Sequence, residues 1–454
     1  MTTTPAVRAY ARTLAPERLP AYLYDLGALR EHAAAVRAAL PERVELYYAA
    51  KANPETEILT ALAPYVDGYE VASGGELAHV ARAVPGRPLA FGGPGKTPEE
   101  IRAALASGVG RFHVESAHEL AVLADLAARA RVRARVLLRF NLAVPGELLD
   151  GSALAMGGRP APFGIDPADA DAVVRTLTEG SSPWLELFGI HAHLASGLDA
   201  RRQLAVAASV TRWAAALTAR HGVPLREVNV GGGMAVDYAR PGERFDWAAY
   251  GRGLAALADE HPDTVLRIEP GRALTVYCGW YATDVLDVKR SRGEDFAVVR
   301  GGTHHLRTPA TKGHDQPCAV LPADDWPHPW PRPATGGPGP VTLVGQLCTP
   351  KDLLARAVPL TAVHPEGPPR PRGPADGPAP GGGPGAVRPG GRVRLEHLPP
   401  RLPDAPPARI PLPPRRPGVR SGGRPGDGRT RHRPLPPPGG GSCEYLNAVT
   451  RPDR

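Results

Sequence analysis

The sequence predicts an α/β chain: a closed parallel (β/α)8 TIM barrel, a separate β-sandwich or β-barrel domain, and a disordered C-terminal tail. Three observations carry this prediction. Between about Leu40 and Leu274, short apolar strands alternate with Ala/Leu-rich helical segments. After Ala273, strand-like segments follow one another without helices between them. From His364 to Gly441, about half of all residues are Pro or Gly.

Eight barrel strands are predicted, each a short run rich in apolar residues. They are Glu45–Lys51, Gly68–Ser73, Pro88–Gly92, Arg111–Glu115, Arg135–Asn141, Leu185–Leu194, Glu227–Gly231 and Val265–Glu269. The clearest helical segments between or before them are Ala28–Leu40, Pro98–Ala106, His118–Ala130, Ala200–His221 and Asp246–Glu260. A doubly wound open sheet is the alternative, and it is disfavoured because no dinucleotide-binding fingerprint opens the first βα turn.

Four parts are predicted along the chain. Residues 1–24 form an N-terminal segment that joins the β domain through a strand at Tyr22-Leu23-Tyr24, and residues 25–275 form the barrel. Residues 276–363 form an incomplete β domain with strands at Val276–Val288, Asp295–Arg300 and Val341–Leu347. Residues 364–454 have too few large apolar side chains to offset chain entropy, so they are predicted to be disordered.

Composition restricts the partners and the setting. The net charge is +8, but residues 364–454 hold sixteen Arg against seven Asp and Glu, so the rest is near neutral and no nucleic-acid partner is expected. The four cysteines, Cys278, Cys318, Cys348 and Cys443, have no zinc-site or disulfide spacing. No signal-peptide core and no apolar run of about 18 residues appears, so a membrane is excluded and the cytoplasm is expected.

Lys51 is the most informative residue, because it ends an apolar, aromatic strand. Poor solvation there is expected to lower its pKa and to free the amine as a nucleophile. Strand six ends in His191-Ala192-His193, strand seven in Gly231-Gly232-Gly233, and strand eight in Glu269-Pro270-Gly271-Arg272. The C-terminal ends of parallel barrel strands meet at one rim, so these residues are expected to form one site.

Each group has a chemical use at such a rim. Successive glycines let backbone N–H groups approach an anion, and Arg272 with the Ser196 hydroxyl would complete a phosphate site. Glu269 suits a ring nitrogen, and His193 offers a flat ring for stacking. An amine, a phosphate site, a carboxylate and a flat ring are what pyridoxal 5′-phosphate requires, so this cofactor is predicted. No metal is predicted, although His191 and His193 on one strand face are an alternative pair of metal ligands.

The same motifs resemble those of a known family. Tyr48-Ala49-Ala50-Lys51-Ala52-Asn53, His193-Leu194-Ala195-Ser196, Gly231-Gly232-Gly233 and Glu269-Pro270-Gly271-Arg272 look like motifs of the fold-type III pyridoxal-phosphate decarboxylases, in the same order. This family includes diaminopimelate, ornithine and arginine decarboxylases. The resemblance covers about Leu23 to Leu354. It implies a barrel of the alanine racemase type, an amino-acid-like substrate and a homodimer with shared active sites.

The resemblance also implies a role for each residue. Lys51 would bond covalently to the cofactor, His193 would stack on its ring, and Glu269 would hold the ring nitrogen. Glu70 and Arg139 match positions near the ring. Cys348 matches a segment that enters the partner subunit's site, where the cysteine is implicated in protonating the product. The residues implied at the phosphate are Ser196, Gly231, Gly232, Gly233, Gly271 and Arg272.

Two departures from the family pattern bear on function. Where relatives that act on basic amino acids have an acidic residue after the cysteine, this chain has Thr349, so a distal ammonium would lack its partner. The stretch from Gly301 to Ala310 resembles a biosynthetic branch that decarboxylates conjugated amino acids, such as citryl-diaminopropionate in siderophore assembly or carrier-bound glutamate. A substrate with an acylated, polar or acidic distal end is therefore expected. His304 and His305 are candidate contacts to it, and a solvated loop is the alternative.

The second departure is the tail, where the family's Gly-Ala-Tyr-like segment is missing. Gly391 to Ala405 admit codons that, read one nucleotide later, give Ala-Ala-Tyr-Gly-Trp and a family-like continuation. This leads to the hypothesis of a frameshift between about Val363 and Gly391, which the coding DNA would test.

The predicted reaction is decarboxylation at Cα. Two alternatives stay open, racemisation on the same fold and a damaged copy that binds the cofactor poorly.

Overall fold

The computed structural model describes residues 3–143, 154–179, 182–238, 240–307, 313, 315–322, 329–331, 339–358 and 391–396. Strand β1 (Ala21–Tyr24) precedes the barrel. The eight barrel strands are β2 (Val44–Ala49), β3 (Gly68–Val71), β4 (Leu89–Phe91), β5 (Arg111–Val114), β6 (Ala134–Arg139), β8 (Leu185–His191), β10 (Glu227–Asn229) and β11 (Val265–Ile268). Two short strands, β7 (Leu154–Ala155) and β9 (Ala195–Ser196), pair with each other in antiparallel fashion.

The barrel is closed and parallel. Its strand order is β10-β11-β2-β3-β4-β5-β6-β8, and closure is completed by the pairing of β10 with β8, in which Asn229 lies opposite His191. All eight predicted strands are confirmed to within a few residues. The open-sheet alternative is wrong, because β11 also pairs with β2 and the barrel sheet has no free edge.

Helices surround the barrel, and one precedes it. None of the helices in the described ranges is long and apolar enough to cross a membrane. Their bounds are α1 (Pro5–Thr13), α2 (Leu26–Ala39), α3 (Thr56–Leu62), α4 (Gly74–Ala83), α5 (Pro98–Ala106), α6 (Ala117–Ala130), α7 (Ala170–Thr178), α8 (Ala200–Arg220), α9 (Trp247–Glu260) and α10 (Arg272–Thr275). Single 3-10 turns occur at Pro16–Arg18, Ala50–Ala52, Pro167–Asp169 and Val276–Cys278.

Local sequence explains where several of these helices begin. Ser73, Thr97 and Ser116 precede α4, α5 and α6, and each side chain accepts a hydrogen bond from the N–H of the glutamate three residues later. At α5 the Glu100 carboxylate also accepts the Thr97 N–H, which completes a capping box. The Ser/Thr-x-x-Glu spacing therefore fixes three helix starts at the barrel rim.

Inside the barrel, charged side chains form a layer below the rim. The fully buried Arg267 pairs with Glu227 at 2.9 Å and also with Glu45, and its guanidinium lies over the Tyr47 ring. Arg111 completes the layer by donating to Glu227 at 2.7 Å. Because alternate residues of a strand share a face, the residues two positions further along these strands face the same interior closer to the rim.

The second part of the chain is a seven-stranded sheet. Its strands are β1, β12 (Gly279–Ser291), β13 (Glu294–Val299), β14 (Cys318–Pro322), β15 (Val341–Val344), β16 (Leu353–Val358) and β17 (Gly391–Glu396). Strand β1 pairs with β12, as the pattern at Tyr22-Leu23-Tyr24 predicts. A register shift between Val285 and Asp287 occurs where β12 pairs with β13. The predicted strand at 276–288 begins three residues late, because Val276–Cys278 forms a single helical turn.

Strand β17 lies within the segment predicted to be disordered. It pairs in antiparallel fashion with β12 and with β14. For these six residues the prediction of disorder is wrong, because Arg392-Val393-Arg394-Leu395 alternates charged and apolar residues with the period of a strand, a local pattern that average composition hides. The other residues of 359–454, including the interval proposed for a frameshift, lie outside the described residues.

Candidate active site

Lys51 lies just beyond β2, in the single turn Ala50–Ala52, and its side chain is half exposed at the barrel rim. Its Nζ donates to Glu70 Oε2 at 3.1 Å, and Glu70 is buried on β3. Loss of water around the half-exposed amine lowers the pKa of Lys51, but the charges of Glu70 and Glu269 raise it by more, so the net shift is upward. The expectation of a lowered Lys51 pKa is therefore wrong, because it considered the apolar strand and not the carboxylates on neighbouring strands.

Glu269 follows β11 at the same rim and is buried. Asn229 Nδ2 donates to Glu269 Oε1 at 2.7 Å. Burial, and then the nearby charge of Glu70, raise the pKa of Glu269 to about 7, against the lowering effects of the Asn229 hydrogen bond and of Lys51. At neutral pH this carboxyl group can therefore hold or release a proton, as a partner for a basic ring nitrogen requires.

The half-buried His193 has a fixed ring. Its Nδ1 accepts a hydrogen bond from the Gly232 N–H at 2.9 Å. Burial, and then the positive charge of Lys51, lower the pKa of His193 to about 3, so the imidazole is neutral. Gly231 has φ +70°, and a Cβ there would lie 2.6 Å from His193 Nδ1. Glycine is thus required beside a flat, neutral ring.

The three glycines after β10 bring strand ends close together. A Cβ on Gly232 would lie 2.3 Å from the Glu269 carbonyl oxygen, and one on Gly233 would lie 2.1 Å from the Ala195 carbonyl oxygen. The N–H groups of Gly231 and Gly232 donate to Asn229 Oδ1 and His193 Nδ1. These two amides are already engaged, so the predicted anion-binding role of the segment rests mainly on Gly233.

The remaining predicted phosphate residues lie on adjoining segments. Ser196 is half-buried on β9. Gly271 packs against the lysine turn so closely that a Cβ would lie 2.7 Å from Ala52 Cβ. Arg272, at the start of α10, is half-buried, and its charge contributes to the lowered pKa of His193. The positive charge of Arg272 therefore acts on the His193 ring.

Arg139 occupies another side of the site, at the end of β6. It donates to Glu115 Oε1 at 2.7 Å, and both side chains are buried. Glu115 Oε2 accepts the N–H of Gly164 at 3.0 Å. Sequence reasoning named Arg139 but missed Glu115, although Glu115 ends a predicted strand in the same way as Lys51 ends its own.

His113 and His191 form the floor of the site, and sequence reasoning missed His113. Their ring centroids are 4.2 Å apart, and each Nε2 lies 3.8 Å from an oxygen of Glu269. Burial holds the pKa of both far below the usual 6.5. His193 Nδ1 accepts the Gly232 N–H, so in the neutral ring Nε2 carries the proton and His193 offers no free lone pair to a metal, which disfavours the alternative pair His191 and His193.

A different set of candidate ligands, His113, His191 and Glu269, has its ligand atoms within 4.8 Å of one another. However, Asn229 Nδ2 donates a hydrogen bond to Glu269 Oε1 and also lies 3.5 Å from His113 Nε2. A donor group in that position opposes a cation, so the cluster is better described as a hydrogen-bonding floor.

Cys348 lies on an exposed turn of the β domain. The turn is held by Asp352, whose buried carboxylate accepts hydrogen bonds from the Thr303 N–H and hydroxyl and from the Leu347 N–H. Within the same region, His304 is exposed and its ring lies 4.0 Å from that of His305. Cys348 thus stands apart from the rim residues by its position on the sheet domain, and its predicted role stays a prediction.

Comparison with known proteins points to one family. Residues 26–276 match the family model described as "Pyridoxal-dependent decarboxylase, pyridoxal binding domain". The chain is 38% identical over 345 residues to a 2-[(L-alanin-3-ylcarbamoyl)methyl]-2-hydroxybutanedioate decarboxylase of Staphylococcus aureus, covering 75% of this chain and 85% of that protein. It is 30% identical over 359 residues to an L-glutamyl-[BtrI acyl-carrier protein] decarboxylase of Niallia circulans, covering 76% of this chain and 81% of that one.

A solved structure shares the fold. Diaminopimelate decarboxylase from Helicobacter pylori, an I148L mutant complexed with L-lysine, superposes with a TM-score of 0.69 at 24% identity. The match covers 87% of this chain and 89% of that chain. The superposed region extends beyond the barrel, since the barrel residues 26–276 make up a smaller share of the chain than the 87% that the match covers.

Proposed function

We propose, since the chain belongs to the pyridoxal-dependent decarboxylase family, that it removes the α-carboxylate of an amino acid whose distal end is conjugated. The cofactor is pyridoxal 5′-phosphate, and the enzyme is a carboxy-lyase. The observation that carries the assignment of the site is the convergence of Lys51, His193 and Glu269 at one barrel rim.

The residues present fit this cofactor. Lys51 supplies the amine that would hold its aldehyde, and the neutral ring of His193 offers a face for the pyridine. Glu269, with a pKa of about 7, is the partner for the ring nitrogen. Gly233, Ser196 and Arg272 would hold the phosphate, with Gly231 and Gly232 keeping the strand ends close. His113 Nδ1 and both nitrogens of His191, which have no hydrogen-bond partner among the described residues, lie on the floor of the same site.

When bound, pyridoxal phosphate supplies an electron sink for the pair that remains at Cα after CO₂ leaves. The chain's own residues provide the rest. Glu269 holds a proton at the ring-nitrogen side, and its burial keeps the carboxyl group dry. The raised pKa of Lys51 keeps its ammonium charged beside Glu70, so Lys51 must pass a proton to Glu70 or to solvent before its amine can act.

The β-domain turn supports a substrate without a distal ammonium. The exposed residues of this turn include Cys348, Thr349 and Lys351, and the only ionisable group among them besides the thiol is cationic. The one acid of the turn, Asp352, is buried and occupied by Thr303 and Leu347. A substrate tail with amide, hydroxyl or carboxylate groups meets no repelling acid here. The S. aureus relative acts, by its name, on a conjugate of that kind.

We further propose a homodimer in which Cys348 completes the partner's site. The exposed turn and the half-exposed Leu347 beside it are the parts of the β domain that would enter that site. Mixing the Lys51→Ala and Cys348→Ala proteins tests this. Each variant alone should lose turnover, and the mixture should regain about one quarter of the wild-type sites through heterodimers. No recovery in a mixture shown to exchange subunits would refute the shared site.

Direct assay of the reaction tests the function itself. Purified protein with pyridoxal phosphate should release CO₂ from 2-[(L-alanin-3-ylcarbamoyl)methyl]-2-hydroxybutanedioate faster than from diaminopimelate. Lys51→Ala should abolish both turnover and borohydride trapping of the cofactor. Inverted substrate chirality without CO₂ would show a racemase instead, and a preference for diaminopimelate would contradict the proposed substrate class.

A further inference from the structure

Asn229, the last residue of β10, is fully buried and contacts two different parts of the site. Its Oδ1 accepts the N–H of Gly231 at 2.9 Å, and its Nδ2 donates to Glu269 Oε1 at 2.7 Å. An amide nitrogen has no lone pair for the Gly231 N–H, so these two contacts permit only one orientation of the side chain.

His113 provides a further polar contact for that amide. Its Nε2 lies 3.5 Å from Asn229 Nδ2, and the ring is fully buried. The ring is neutral, because burial and then the charges of Arg267 and Lys96 hold its pKa far below 6.5. A neutral imidazole can accept the second amide hydrogen, whereas an imidazolium could not. The Asn229 amide is therefore surrounded on both sides by acceptors.

We propose that Asn229 is a positioning residue that ties the Glu269 carboxylate to the glycine segment 231–233. Through Asn229, the Glu269 carboxylate, which would contact the cofactor ring nitrogen, is hydrogen-bonded to the glycine segment, which would contact the phosphate. A shift of the carboxylate therefore requires a shift of the glycine segment. This inference rests on the proposed function, because it takes Glu269 as the partner of the ring nitrogen. Asn229 acts through Glu269 and Gly231 and need not touch the cofactor.

Two substitutions separate the two contacts. In Asn229→Asp, a carboxylate oxygen can still accept the Gly231 N–H, but the donor to Glu269 is lost and a like charge is placed beside it. In Asn229→Leu, which has the same number of side-chain heavy atoms and the same branching, both contacts are lost. The aspartate variant should therefore impair only the ring-nitrogen side, whereas the leucine variant should impair both sides.

The readout is binding to the full-length, cofactor-free protein, measured by equilibrium dialysis with three probes. Pyridoxal 5′-phosphate is compared with an analogue in which a C–H group replaces the ring nitrogen, and with pyridoxal, which lacks the phosphate. The first ratio of affinities reports the ring-nitrogen contact, and the second reports the phosphate contact. In Asn229→Asp the first ratio should fall about tenfold or more, as expected for a lost hydrogen bond to a charged group, with the second unchanged.

Gln203→Leu is the matched control. Gln203, on α8, is another buried amide that contacts the glycine segment, and its Nε2 donates to the Gly232 carbonyl at 2.9 Å. Within the described residues it has no hydrogen bond to Glu269. Removal of this hydrogen bond in Gln203→Leu should leave the ring-nitrogen ratio at the wild-type value. If the aspartate variant is too unstable to isolate, Asn229→Ser takes its place for the ring-nitrogen contact. Serine adds neither charge nor bulk and is too short to donate to Glu269, so the ring-nitrogen ratio should still fall.

The outcomes distinguish this inference from the proposed function. A wild-type protein that binds pyridoxal phosphate and the nitrogen-free analogue equally would overturn the assignment of Glu269, and the inference with it. A wild-type protein that discriminates, together with Asn229 variants that keep the full ratio, would overturn the role of Asn229 alone. If Gln203→Leu also lowers the ring-nitrogen ratio, the loss of any buried amide here acts through general packing. That result would also overturn the positioning role of Asn229.

Discussion

Gly232→Ala is the sharpest test of how close packing sets the site. The added Cβ would lie 2.3 Å from the Glu269 carbonyl oxygen, whereas real Cβ contacts essentially never fall below 3.0 Å, so the end of β11 must retreat by about 0.7 Å. Such overpacking is expected to cost about 1–3 kcal/mol of unfolding free energy. Its effect on the site should be larger in relative terms, because a displacement of about 1 Å can lower catalysis roughly a hundredfold.

The assay compares two glycine variants. Gly242 is exposed, no atom of the described residues lies within 4 Å of an added Cβ, and its φ is outside the left-handed region, so Gly242→Ala should match wild type. Gly232→Ala should melt a few degrees lower but still cooperatively, with kcat/KM reduced about a hundredfold and weaker cofactor binding in dialysis. If Gly232→Ala keeps both wild-type cofactor affinity and turnover, the close approach of β10 and β11 does not position Glu269, and the reasoning fails.

Three other substitutions test charges in the barrel. Glu269→Gln removes an acid whose pKa of about 7 lies above its ordinary 4.5, so this group reduces stability progressively as pH rises through that interval. In urea titrations the unfolding free energy of the cofactor-free variant should exceed that of wild type by about 3 kcal/mol at pH 8 but by under about 1 kcal/mol at pH 5. An equal difference at both pH values would contradict the raised pKa of Glu269. Glu70→Gln removes the nearest carboxylate that raises the pKa of Lys51, so the amine should lose its proton at lower pH. The pH midpoint for borohydride trapping of pyridoxal phosphate should therefore move downward. An unchanged midpoint would refute the role of Glu70. Arg267→Met leaves Glu227 buried with one partner fewer and should lower the unfolding free energy by about 3–5 kcal/mol, whereas methionine in place of the exposed Arg129 should change little.

The fold could be predicted because each barrel strand is a short apolar run bounded by turn residues, a signal that lies within a few neighbouring residues. The rim residues Lys51, His193 and Glu269 could be predicted for the same reason, since a parallel barrel brings all strand ends to one edge. The comparison with relatives confirms the family and the cofactor that these residues indicated.

What the sequence did not reveal depends on pairing between strands. The upward shift of the Lys51 pKa comes from Glu70 and Glu269, which are distant in the chain and become neighbours only when β2 lies between β3 and β11. Asn229 could be placed on a strand, but its hydrogen bond to Glu269 requires the register of β10 against β11. A strand's period gives the face of a side chain, not the partner it meets across the barrel.

The polar residues of the barrel interior differ between the lower layer and the rim. In the lower layer, Arg267 and Arg111 neutralise Glu227, and the layer resembles a closed ion-pair network. Two residues further along the same strands, His113, Asn229 and Glu269 replace these charges. There, among the residues that the structure describes, no Lys or Arg pairs directly with the Glu269 carboxyl, and neither nitrogen of His191 has a hydrogen-bond partner. Buried polar groups without partners reduce stability, so this upper layer is where a polar ligand gains the most by binding. The same alternation that makes the lower layer a structural support thus makes the upper layer suited to hold the proposed cofactor.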